Sequence, residues 1–249
     1  MIPRQSPLAP SAILFADGGA SGHGGHDTVD SFLLARRLGA TGIASDLAVT
    51  SDGVAVLRRD PKVGGLRKRR LSDVAHADLP DDVVALSRFY EAVGGDLPLL
   101  LRVRAHGAVR AAVEDVVSLA ARHQALERLW LCSDDPSALA EWRERSSVVR
   151  LVDTTPIAAM SLGPERHAAD LRSAGVDAVL LPRSDWSGGR TALFHRFGRW
   201  CFAADAPHER MIASLLHIGV DGVLSPYPDR LVDAAAAHAA PDAPAFRED

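Results

Sequence analysis

The side chains with the most chemical promise lie early in the chain. Asp17 ends a short apolar run, Ile13-Leu14-Phe15-Ala16, and is followed by Gly18-Gly19. Glycines at that point let the backbone turn through positive φ and approach whatever binds above the strand end. His23-Gly24-Gly25-His26 offers two imidazoles that, with Asp17 and Asp46, could be gathered around a transition metal. The spacing matches no specific zinc pattern, and histidines in glycine-rich loops are more often simply solvated. Further on, Arg102 and Arg104 stand two apart in an apolar strand, so both face one side of it. Guanidinium groups suit phosphate or carboxylate geometry. The run Arg67-Lys68-Arg69-Arg70 has no interleaved aromatics and reads as a solvated face. Cys132 and Cys201 sit in apolar strand-like runs and read as small buried hydrophobes rather than a disulfide or metal pair.

The elements that must position these groups alternate. Residues 12–60 read as a buried strand, a glycine-rich turn, an amphipathic helix over 28–38, a strand over 43–49 and a hairpin through Ser51-Asp52-Gly53 into 54–57. A polar excursion over 61–82 follows. Further strands are expected at 97–103, 129–132, 148–152, 178–181, 200–203 and 222–224, and helices at 86–93, 109–122, 136–145, 164–173, 207–218 and 227–237. Gly175-Val176-Asp177-Ala178 and Gly219-Val220-Asp221-Gly222 repeat one device, a glycine ending a helix and an aspartate entering a buried strand. Repeated βα units imply a parallel sheet with helices outside, and eight of them close into a barrel. An open doubly wound sheet is the alternative, but no Gly-x-Gly-x-x-Gly opens the first helix. The reading is an α/β chain: a lead-in over 1–11 expected to be flexible, one (β/α)8 TIM barrel over 12–237, and a flexible tail over 238–249.

With 249 residues, 47% hydrophobic and 24% charged, the chain has an ordinary globular balance and enough length for a large core. A net charge of -4 and a pI near 6.2 give no global field to attract nucleic acid or acidic membranes. No apolar segment is long enough to span a bilayer, and residues 1–11 are proline-rich without a hydrophobic signal core. The expected location is the cytoplasm.

The order and spacing of motifs resemble the glycerophosphodiester phosphodiesterase family. That family opens roughly His-Arg-Gly-Ala-Ser, Pro-Glu-Asn-Thr, Gly-Ala-Asp-x-Ile-Glu-x-Asp, Thr-x-Asp-Gly and His-Asp. The corresponding stretches here are Asp17-Gly18-Gly19-Ala20-Ser21, Gly25-His26-Asp27-Thr28, Gly39-Ala40-Thr41-Gly42-Ile43-Ala44-Ser45-Asp46, Thr50-Ser51-Asp52-Gly53 and Arg59-Asp60. The resemblance covers roughly residues 12–229 and implies the TIM barrel of the glycerophosphodiester and phosphatidylinositol phosphodiesterases. It also implies a calcium or magnesium ion held by carboxylates, and two histidines as general acid and base. Here the first histidine becomes Asp17 and the second Arg59. The Glu-x-Asp pair becomes Ala44 and Asp46, and a third carboxylate becomes Arg102. Asp46 is the one retained metal ligand. Arginine stays protonated and cannot shuttle a proton near neutral pH, and it repels a cation.

These changes point to a pseudoenzyme, with vestigial catalytic positions at Asp17 and Arg59 and no cofactor expected. Arg59, Arg102 and Arg104 form a candidate anion site; Asp17, Asp46, Arg183, Trp186 and Phe202 are candidate pocket residues. Alternatively, Arg102 pairs with Asp46 and Arg59 with Asp17 or Asp60, replacing the lost ion's charge internally; the two arrangements can coexist. The expected partner is a small phosphate-containing anion of lipid metabolism or a protein at the carboxyl-end face, with no nucleic acid. An active phosphoric diester hydrolase, or other phosphoric ester hydrolase, with a rebuilt site is the rival, and a barrel serving as an assembly surface is a third possibility.

Overall fold

A computed structural model describes residues 5–64, 68–103, 109 and 112–239. Arg67 and Arg104 therefore lie outside the described residues. Strands β1 (Ile13–Asp17), β2 (Gly42–Val49), β7 (Leu99–Val103), β8 (Leu129–Ser133), β9 (Arg150–Asp153), β10 (Ala178–Pro182), β11 (Trp200–Ala204) and β12 (Gly222–Ser225) pair side by side in parallel. Ile13 meets Gly222 on one edge of β1 and Phe15 meets Gly42 on the other, so the sheet closes on itself. It is an eight-stranded parallel barrel with helices outside.

Those helices are α1 (Val29–Arg37), α2 (Leu86–Val93), α3 (Val113–Arg122), α4 (Pro136–Arg145), α5 (Gly163–Ser173), α6 (Gly188–Arg196), α7 (Glu209–His217) and α8 (Pro228–Ala239). Their starts follow sequence chemistry. Thr28 caps α1 by accepting from the Ser31 N–H, while the Ser31 hydroxyl reciprocates toward Thr28. Asp135 accepts from the Ser137 N–H, and Pro136 occupies the first turn of α4, where no N–H is needed. Apolar stripes such as Val113, Val116 and Ala120 face the sheet. Phe32 of α1 packs edge-on against Phe89 of α2, their centroids 5.1 Å apart. Fully burying side chains of that size is worth about 1.5–3 kcal/mol each.

The barrel interior is a separate layer in which Phe15, Leu100, Trp130, Val152, Leu180 and Phe202 fill the lumen. Phe202 lies between Phe15 and Trp130, with centroids at 5.4 and 4.9 Å. The floor is built by a repeated device that includes one more unit than the aspartate motif suggests. Gly39, Gly175 and Gly219 each end a helix with positive φ. Two residues later, Thr41 Oγ1, Asp177 Oδ2 and Asp221 Oδ2 accept from the second N–H of the neighbouring strand. Those donors are Leu14 at 2.8 Å, Leu151 at 2.8 Å and Cys201 at 2.7 Å. The side chain thus extends the ladder by one hydrogen bond below each strand.

The lead-in was expected to be flexible, yet residues 5–9 are tied to the floor. Gln5 donates from its N–H to the His217 carbonyl at 3.0 Å, and Leu8 and Ala9 donate to Asp221 Oδ1 at 2.6 and 3.1 Å. At the opposite end, β3 (Ala55–Leu57) adds antiparallel to the upper half of β2, and β6 (Val84–Ala85) adds to β3. Between them the polar excursion carries a hairpin of β4 (Lys62–Val63) and β5 (Arg69–Arg70), seated on a small cluster with Leu71, Val74 and Val83. Among the described residues, no helix is long and apolar enough to cross a membrane.

Candidate functional site

Three neighbouring strands carry charge to the barrel's upper rim. Asp17 ends β1, Asp46 lies in β2, and Arg102 in β7 is in direct register with Asp46. Arg102 Nη2 donates to Asp17 Oδ1 at 2.6 Å and to Asp46 Oδ2 at 2.8 Å, while its Nε reaches Asp46 Oδ2 at 3.2 Å. Arg59, just past β3, donates from Nη2 to Asp17 Oδ2 at 2.6 Å and brings Nε within 3.6 Å of Asp46. Two cations and two carboxylates therefore neutralise one another. Burial alone would raise the Asp17 pKa, but Arg102 and then Arg59 outweigh it and hold the carboxyl below its ordinary value. Burial would likewise discharge Arg102, but Asp17 and Asp46 fix its proton more tightly than usual. Charge-assisted bonds of this kind offset much of the cost of desolvating the partners.

The arginines differ in access. The Arg102 side chain is 21% exposed, whereas that of Arg59 is 50% exposed. Arg59 and Asp17 line an open cleft of about 340 Å³ together with Ser21, Arg183 and Asp205. Met211, Leu224 and two prolines make the apolar part of the lining. Arg183 extends from the short turn after β10, is exposed, and has no side-chain partner among the described residues.

The loop after β1 supports this rim. Gly18 turns with φ of 67°, and the His26 ring rests where its side chain would be; a Cβ there would lie 2.4 Å from the ring. His26 Nδ1 bonds Asp27 Oδ2 at 2.6 Å, Ser45 donates to Asp27 Oδ1 at 2.6 Å, and the Arg59 N–H donates to Asp27 Oδ2 at 3.0 Å.

Not every expected pocket residue reaches the cleft. Phe202 is fully buried in the lumen, because its place in β11 sets it level with Gly222, below the rim. Trp186 packs edge-on against Phe194 outside the sheet and donates its Nε1–H to the Phe202 carbonyl at 2.9 Å. Both are core residues. Of the expected anion group, Arg59 lines the cleft while Arg102 is turned into the carboxylate cluster; Arg183, an expected pocket residue, lines the cleft as well.

No protein-family model and no curated protein matches the sequence. Solved structures do. An Oleispira antarctica phosphodiesterase in complex with the product sn-glycerol-3-phosphate aligns with a TM-score of 0.79 at 18% identity, over 93% of this chain and 100% of that one. A glycerophosphodiester phosphodiesterase from Thermotoga maritima aligns at 0.76 and 17% identity, over 90% and 99%. Another, from Parabacteroides distasonis, aligns at 0.75 and 15%, over 92% and 99%. The fold is that of the glycerophosphodiester phosphodiesterases.

On that fold, the residues present do not fit the divalent cation that the glycerophosphodiester phosphodiesterase resemblance implies. The Arg102 guanidinium occupies the point where the Asp17 and Asp46 carboxylates converge, and Ala44 supplies no ligand atom. The alternative set of Asp17, His23, His26 and Asp46 is not assembled either. His23 Nε2 is bonded to Asp229 at 2.8 Å and packs on Tyr227, while His26 is held by Asp27. A different trio, His195, Cys201 and Asp221, converges at the floor. There Asp221 already accepts four hydrogen bonds, and burial pushes the Cys201 thiol well up, so the trio is framework.

Proposed function

We propose that this chain is a degenerate glycerophosphodiester phosphodiesterase that binds a small phosphate-containing anion in the rim cleft without a metal ion. The observation that carries the reading is the pair Arg59 and Arg183. Arg59 is half exposed although it belongs to the neutral cluster with Asp17, Asp46 and Arg102, Arg183 has no side-chain partner among the described residues, and both line the cleft. Arg59 shares its guanidinium with Asp17 and stays half exposed, so it and Arg183 are the guanidiniums that an anion in the cleft would meet, with Asp205 also in the lining. The Oleispira antarctica neighbour holds sn-glycerol-3-phosphate, so a phosphate monoester is the natural first probe. Metal-dependent hydrolysis is absent from this reading: Arg59 cannot exchange a proton near neutral pH, and a cation would be repelled by Arg102. A cytoplasmic protein that recognises a phosphate ester of lipid metabolism is consistent with these parts.

The test is calorimetric titration of the purified protein with glycerol 3-phosphate and with inorganic phosphate, in the presence of a chelator. Binding that survives chelation and weakens about tenfold in Arg183→Ala supports the proposal, such a loss being ordinary for one charged contact. No binding of either probe overturns it. In parallel, glycerophosphodiesters are incubated with calcium, magnesium, manganese or no metal; turnover abolished by Asp46→Ala would instead establish a rebuilt hydrolase.

A further inference from the structure

Asp27 has an unusual combination of properties for a residue beside a helix cap. It is 2% exposed and adopts left-handed backbone geometry with φ of 58°, which side-chain-bearing residues visit rarely. Its carboxylate bonds none of the first N–H groups of α1, because Thr28 performs that capping. It gathers donors from three separate places instead: Ser45 Oγ in β2 at 2.6 Å, His26 Nδ1 at 2.6 Å, and the Arg59 N–H after β3 at 3.0 Å. Its own N–H donates to the Gly18 carbonyl at 3.0 Å, one residue beyond Asp17.

We infer that Asp27, braced by Ser45 and His26, is a positioning residue that fixes Arg59 for ligand recognition, an inference that rests on the anion-binding reading above. Arg59 is clamped at both ends. Its backbone N–H is held by Asp27, and its guanidinium is held by Asp17 at 2.6 Å. A half-exposed arginine otherwise samples many rotamers, and ordering it would oppose binding. Fixing the backbone from a buried carboxylate removes part of that cost before the ligand arrives. The same carboxylate holds the His26 ring over Gly18, so both sides of Asp17 are set by one group. Asp27 touches no ligand itself; it acts through Arg59.

The inference is tested with Asp27→Ala, Asp27→Asn and Ser45→Ala, with Thr28→Ala as a control for loss of the helix cap. Two quantities are measured: the affinity for inorganic phosphate, and the Arg59 Nε–H resonance in a proton–nitrogen spectrum, assigned with Arg59→Lys. Asp27→Ala is expected to weaken phosphate binding about tenfold or more and to broaden the Arg59 signal. Asn, which keeps an acceptor oxygen, restores part of both, and Ser45→Ala shows a smaller loss of both. Thr28→Ala lowers the melting temperature but moves neither quantity. Wild-type affinity and an unchanged Arg59 signal in Asp27→Ala would overturn the inference. Should the wild-type protein bind no phosphate while Asp27→Ala still releases the Arg59 signal, the anion-binding reading fails and the positioning role stands. If Asp27→Ala does not fold, the Asn and Ser45 variants decide by the same two measurements.

Discussion

The two ends of the barrel both bury aspartates, and they satisfy them in opposite ways. At the floor, Asp221 is fully buried and accepts from the Leu8, Ala9 and Cys201 N–H groups and from His195. Three of its four donors are main chain, with positions fixed by the strand and the lead-in. At the rim, Asp17 and Asp46 are held by the side chains of Arg102 and Arg59, and one of those side chains is half exposed. A carboxylate tied by peptide groups belongs to the framework. A carboxylate tied by guanidiniums can share its partners with an incoming anion, because those side chains move without the strands moving. The floor is therefore closed chemistry and the rim is open chemistry, although the residue types overlap.

Mutations should separate the ends by magnitude. Asp221→Ala leaves buried main-chain donors and His195 unpaired, and should cost about 3–5 kcal/mol in urea unfolding. A loss under about 1 kcal/mol would show that the floor is not the framework described here. Arg102→Leu leaves Asp17 and Asp46 facing each other with only Arg59 between them; partial exposure should limit the loss to about 1–3 kcal/mol. Arg102→Glu supplies a third carboxylate, so calcium or magnesium should raise its melting temperature while leaving that of the wild type unchanged. Equal stabilisation of the wild type would mean that a cation displaces the guanidinium.

A subtler contrast is in acid. The folded-state pKa of Asp17 is depressed, so its contribution is fully present above the unfolded value near about 3.9 and is lost as pH falls through the lower folded value. Denaturation curves measured downward from pH 5 should therefore show a loss that Asp17→Asn removes, and parallel curves for the two proteins would refute the assignment. The smallest effect concerns the thiols. Burial pushes both Cys132 and Cys201 up, so neither should react with a thiol reagent at neutral pH until the chain unfolds. Rapid labelling of Cys132, whose strand neighbour is Arg102, would mean that the rim opens far more than the floor.

Much of this architecture is legible in the sequence, because βα units repeat and the strand runs are strongly apolar. Most expected strands and helices lie within two residues of their observed ends; the expected helix over 109–122 is described from Val113 onward. Over 185–197, where the sequence shows no clear element, the chain forms a short turn, Arg183–Asp185, followed by the helix Gly188–Arg196. Its weak apolar stripe gave little periodic signal, as only Thr191 and Phe194 are buried there. At the rim, pairing of Arg102 with Asp46 and of Arg59 with Asp17 follows from the demand that buried charge be matched. Its extra bond, from Arg102 to Asp17, needed the β1–β2–β7 adjacency. Asp27 is visible in the Gly25-His26-Asp27-Thr28 motif, but its role is not, because nothing in its spacing points to Ser45 or Arg59; only the fold joins them. Phe202 misled because strand alternation gives the side of the sheet and not the depth along the lumen.

The closure of β1 onto β12 also sets a schedule. Ile13 must find Gly222, so the ring stays open during synthesis until nearly all of the barrel has been made, a wait of tens of seconds at ordinary elongation rates. Strands β1, β2 and β7, which carry Asp17, Asp46 and Arg102, are made early and lie side by side in the finished sheet. Asp221, by contrast, arrives with the last strand and seals the floor as it docks. The nascent chain would thus have the parts of its recognition cluster long before it has a finished vessel, and in the interval the unpaired edge of β1 is the surface most in need of a chaperone.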